Sequence, residues 1–142
     1  MKTNFLKLFT ALALVMSIGV FSLNAQIPKP SKPFLIHDKL PHLSGTIKVL
    51  WDDEDLALSN EQKEKLSALR QNTVKQVKAL GKKINKLEVY IVRATLDGIK
   101  PQNLKDDMFK LAKLRAKASM VHLECIYNTR EILSLEQLEI IE

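Results

Sequence analysis

LSNEQKEKLSALRQNTVKQVKALGKKINKLEVYIVRATLDG, residues 58–98, decides the fold. It opens on Ser59, with Gln62 three positions later. That spacing is a capping box. The serine hydroxyl accepts from the Gln62 amide, and the Gln62 side chain reaches back to the Ser59 amide. Behind the box, Leu66, Leu69, Thr73, Val77, Leu80, Ile84, Leu87, Ile91 and Ala94 recur in steps near three and four. Such a stripe is one face of a long helix. No proline interrupts it. Asp97-Gly98 ends it, because glycine suits the left-handed position just past a helix terminus.

A second helix is expected to begin near Pro101 to Leu104, since proline is favoured in a first turn. Leu104, Met108, Leu111, Leu114 or Arg115, Ala118, His122, Cys125, Thr129 and Ile132 continue the helical spacing. So short a connection makes the two helices an antiparallel hairpin. LSLEQ, residues 133–137, repeats the capping box with Ser134 and Gln137 and predicts a short last helix through Leu138 and Ile141. Upstream, Leu43, Ile47, Leu50 and Trp51 share a face, and Asp52, Asp53, Glu54 and Asp55 mark a turn. No stretch alternates long enough to argue a sheet. The expected fold is all-α, a long antiparallel helical hairpin with short flanking N- and C-terminal helices.

The amino terminus reads as an address rather than as structure. Lys2 and Lys7 precede an apolar run from Leu8 to Leu23, and Leu23 and Ala25 suit a cleavage site before Gln26. Residues 1–25 are therefore expected to be a secretory signal peptide. The run is short for a membrane span, so membrane attachment is expected only if the signal stays uncleaved. Residues 26–36, with three prolines, form an extended leader. The helical domain then spans residues 37–142. The chain carries a formal charge of +6, and Lys2 and Lys7 account for two of those charges. Export, and basic residues strung along helices rather than clustered, argue against nucleic acid as a partner. Cys125 is the only cysteine, so no internal disulfide staples the domain and helix packing must supply the core.

LSNEQ and LSLEQ resemble the paired LTxxQ motifs of the periplasmic Spy/CpxP family, whose relatives include ZraP/CnrX-like heavy-metal resistance proteins. The resemblance covers residues 37–142. Serine replaces threonine at both motif positions, which preserves capping. It implies a small, helical, often dimeric envelope protein. Spy-like members cradle unfolded clients, and CpxP-like members restrain an envelope-stress sensor. Metal-responsive members bind ions through histidines of the N-terminal segment and one histidine of the last long helix. MVHLE (120–124) looks like the segment that carries this late histidine, here His122. In that pattern a methionine follows four residues on. Here Ile126 stands there, and Cys125 comes at plus three.

The candidate metal ligands are His122, Cys125, His42 and His37. Folding the chain about residues 99–100 sets His122 beside Val77 and Cys125 beside Val74. Folding it again near residue 56 sets His42 near Arg70 and His37 near Lys75. These levels hold to about one helical turn, roughly 5 Å. Asp38 could add an oxygen. Imidazole with thiolate favours zinc or copper, with nickel or cobalt as further candidates. The plain alternative is structural: a buried cysteine acting as a small hydrophobe beside a satisfied core histidine.

No catalytic function is expected. Cys125 and His122 lack an orienting third group, a thin hairpin offers no pocket, and the four glycines stand singly. Two functions follow. One is a periplasmic metal-binding stress, resistance or sensor protein. The other is an ATP-independent holdase that binds unfolded clients on a basic, partly apolar helical surface. For the holdase, Val89, Tyr90, Val92, Met120 and Val121 lie off the main stripe. The implied partners are a second copy in a homodimer and either unfolded clients or an envelope-stress sensor.

Overall fold

The computed structural model describes residues 31–36 and 39–142. The expected signal peptide, residues 26–30 of the leader, His37 and Asp38 lie outside the described residues. Among the described residues every regular element is helical: α1 (Leu43–Val49), α2 (Asn60–Leu96), a 3₁₀ turn (Pro101–Leu104), α3 (Lys105–Ile132) and α4 (Leu135–Ile141). At 1.5 Å per residue α2 is about 55 Å long and α3 about 42 Å. They pack against each other as the hairpin.

Local chemistry sets the starts of α2 and α4 and the end of α2. Ser59 caps α2, accepting from the Gln62 amide at 3.2 Å while its own amide donates to Gln62 Oε1 at 3.0 Å. Ser134 and Gln137 repeat both bonds at the start of α4. At the far end of α2, Gly98 takes φ +76°. The Gly98 amide donates to the Thr95 carbonyl and the Ile99 amide to the Ala94 carbonyl. These two bonds make the six-residue closure that satisfies the last carbonyls of a helix. The acidic stretch after α1 is a turn. Asp53 accepts from the amides of Asp55 and Leu56 at 3.1 and 3.0 Å, which aims Leu56 inward until it is wholly buried.

Among the described residues two apolar clusters hold the hairpin. One closes the end where the short helices meet it, with Leu43, Ile47, Leu56, Leu66, Leu133, Leu138 and Ile141. The other lies midway along, with Leu80, Ile84, Ala118 and Val121, and Phe34 packs against it. Burying one such side chain contributes about 1.5–3 kcal/mol. Ile84→Ala is the single change most damaging to the middle cluster, at about 2–5 kcal/mol.

The two capping glutamines meet at the closed end. Gln62 Nε2 donates to Gln137 Oε1 at 2.7 Å, and Gln137 Nε2 donates back to Gln62 Oε1 at 3.2 Å. Their remaining donors go to carbonyls: Gln62 to Ile132 at 3.0 Å and Gln137 to Leu56 at 2.8 Å. Each amide therefore spends both hydrogens on the partner strand of chain and both acceptor sites on its own box and its partner. The two motifs are one clamp.

Two stripe positions differ from expectation. Met108, placed on the apolar face of α3, is 52% exposed, and Val121, placed off it, is 7% exposed. At 100° per residue Met108 lies about 80° to one side of Ala118 and Val121 about 60° to the other. The buried arc of α3 runs from Val121 through Ala118 to Leu111 and Leu104, and Met108 falls beyond its edge.

Candidate functional site

The leader residues that the structure describes are docked. Residues 31–36 lie against α3, held by Arg115. Its guanidinium donates to the carbonyls of Lys32 at 2.9 Å and Phe34 at 3.2 Å, and to Ser31 Oγ at 2.6 Å. It also forms an ion pair with Glu88 of α2. The Leu35 amide donates to Ser119 Oγ at 2.8 Å, and residues 31–36 bury this serine although it lies beyond the apolar arc of α3. An arginine at a stripe position was the sequence signal for this docking: a planar cation among apolar neighbours needs acceptors.

The strap and α1 bring aromatic rings onto His122. Phe34 packs on its imidazole with centroids 5.0 Å apart, tilted at 33°. His42 stacks on it at 5.4 Å and 25°. His42 stands immediately before α1. Its carbonyl accepts from Gly45 and Thr46 and starts that helix, while its side chain makes no capping bond and turns to α3. His122 Nδ1 is buried and has no hydrogen-bond partner. Burial holds the His122 pKa below its ordinary value of 6.5, and the charge of nearby His42 lowers it further. Both effects favour the neutral imidazole, the form that ligates a metal.

The four candidate ligands do not all converge. His42 and His122 do. His37 lies outside the described residues. Cys125 is 5% exposed and faces a different space. With Thr129 it lines a cavity of ≈ 370 Å³ bounded by Ile47 and Trp51 of the α1 segment and by Leu66 and Leu69 of α2. A three-residue step turns Cys125 about 60° from His122 and one turn along α3, away from the strap. Among the described residues no group of three or more His, Cys, Asp or Glu side chains is placed to share one ion. The expectation that no pocket exists is also corrected. It counted only the hairpin, and α1 supplies the third wall.

The pair suits a borderline metal in its donors. Two nitrogens on one tetrahedral ion, with bonds of about 2.0–2.1 Å, stand roughly 3.4 Å apart. The two rings are stacked with centroids 5.4 Å apart, and because imidazole lone pairs lie in the ring plane, both rings would have to turn for their nitrogens to share an ion. Compared with protein-family models, curated proteins and solved structures, the chain matches none. No described helix is long and apolar enough to cross a membrane.

Proposed function

We propose that this chain is an exported metal-binding protein of the Spy/CpxP type, taking zinc or copper through His42 and His122. The observation that carries the reading is the buried, unpartnered Nδ1 of His122, on a ring stacked with that of His42. Buried polar atoms are almost always satisfied, so an orphaned imidazole nitrogen beside a second imidazole asks for a shared cation. The paired capping motifs and the apolar amino-terminal run support the family and the export. His37 and Asp38 are the sequence candidates for further ligands. Cys125 is assigned to the cavity instead. Metal would tie α1 to α3, so that binding free energy adds to folding free energy. Calorimetric titration of the reduced chain with Zn(II), Cu(II), Ni(II), Co(II) and anaerobic Cu(I) tests this. One tight equivalent is expected, lost in His42→Ala and in His122→Ala and kept in Cys125→Ala. Binding unchanged in both histidine variants would refute it.

A second reading, the holdase, has its own observation. Phe109, Met120, Leu123 and Tyr127 are 64, 53, 36 and 62% exposed. With Ala112 and Ala116 they step by three and four along the outer face of α3. An apolar stripe of that kind is a docking surface for unfolded segments or for a second copy. Suppression of client aggregation by the metal-free monomer favours clients, and a concentration-dependent dimer lost on Met120→Asp favours a second copy.

A further inference from the structure

The cavity at the junction of α1, α2 and α3 is built for something other than the histidine pair. Its walls are apolar: Ile47, Trp51, Leu66 and Leu69. Cys125 and Thr129 line its α3 side, and the Thr129 hydroxyl is already spent on the Cys125 carbonyl at 2.7 Å. Among the described residues, the charged side chains that line it are Lys48 and Arg70, both exposed. A shallow groove shares Arg70 and continues along α2 past Val74 to Lys75 and Lys78. No carboxylate lines either space among the described residues. At ≈ 370 Å³ the cavity falls at the small end of ligand sites, which run from roughly 300 to 1,000 Å³ and combine apolar walls with a few convergent polar groups.

We propose that this cavity binds a single-chain amphipathic carboxylate, its apolar tail between Trp51 and Leu66 and its anionic head at Lys48 and Arg70. The charge pattern selects the class. A neutral apolar ligand would leave the cationic mouth unused, and a compact inorganic anion would leave the apolar walls unfilled. A medium-chain fatty acid meets both. The site is separate from the histidine pair and does not depend on metal.

Trp51 is the chain's single tryptophan and lines the cavity, so its emission reports occupancy directly. The full reduced chain is titrated with decanoate below its micellar range. A saturable, one-to-one change in Trp51 emission is expected, together with slower alkylation of Cys125 by iodoacetamide. In the Lys48→Glu/Arg70→Glu variant, decanoate should weaken at least ten-fold, about 1.4 kcal/mol, while 1-decanol stays within two-fold. Both positions are exposed, so the reversal leaves the core intact. Ser67→Leu, at the cavity wall, should remove both ligands, with far-UV circular dichroism confirming the fold. Vesicles of an anionic phospholipid should leave Trp51 unchanged. No saturable response to decanoate, equal loss of decanoate and decanol in the charge reversal, or a vesicle response equal to that of decanoate would each overturn the proposal.

Discussion

The side-chain amides of Gln62 and Gln137 pair reciprocally across 75 residues of sequence, at 2.7 and 3.2 Å. Each glutamine also closes its own helix start and reaches a carbonyl of the other segment. Capping two helices and locking the closed end of the hairpin are therefore one structural act. Gln62→Ala leaves part-buried carbonyl and amide groups without partners, which costs about 1–3 kcal/mol. Gln137→Ala should cost a similar amount. The double variant should lose clearly less than the sum, because each single change already breaks the shared pair. Urea denaturation of the four proteins checks this, and strict additivity would show that the pair is not coupled.

Arg115 is expected to control the strap. Lysine keeps the charge but cannot fork to two carbonyls, a hydroxyl and Glu88 at once. Arg115→Lys should therefore leave helix content unchanged while the Leu35 amide, which donates to Ser119, exchanges much faster. Hydrogen exchange read residue by residue measures it. Unchanged protection at Leu35 would mean that the serine alone holds the strap.

Acid should loosen the site through His122. Its folded pKa lies below 6.5, by burial first and by His42 second, so below the unfolded value the unfolded chain binds the extra proton. Stability from this group is complete above that range. It is lost as pH falls through 6.5 towards the folded pKa, and the loss then levels off. Denaturation midpoints at pH 7.5, 6.5 and 5.5 should fall in that order. His122→Gln should flatten this part of the profile, and His42→Ala should make it shallower.

The outer stripe of α3 gives a different kind of expectation. Phe109→Asp and Met120→Asp replace exposed side chains, so stability should move by no more than about 0.5 kcal/mol. Suppression of client aggregation should nevertheless drop if this face holds clients. Full retention of that activity in the double variant would exclude the stripe from client binding.

Much of the fold was legible because its signals are local. Ser59 and Gln62, Ser134 and Gln137, and Asp97-Gly98 mark helix ends within a few residues of themselves, and the α2 stripe repeats without a break. The folding-back estimate set His42 near Arg70 and His122 beside Val77, about two helical turns apart, whereas the two rings stack on each other. What stayed hidden depends on long-range packing. That the two motif glutamines would bond to each other cannot be read from either box alone. The strap depends on Arg115 meeting acceptors some 80 residues away. Cys125 shares a helix face with His122 at coarse spacing, yet a 60° turn gives it to a cavity that exists only because α1 folds back.

Metal binding by the two histidines is read most directly from the imidazole nitrogens of the ¹⁵N-labelled chain, followed by NMR through a Zn(II) titration. Nitrogen resonances of His42 and His122 are expected to shift together and saturate at one zinc per chain, with each single alanine variant abolishing the response of the other ring. Zinc that binds while both rings keep their metal-free positions, or no binding at all, would contradict it.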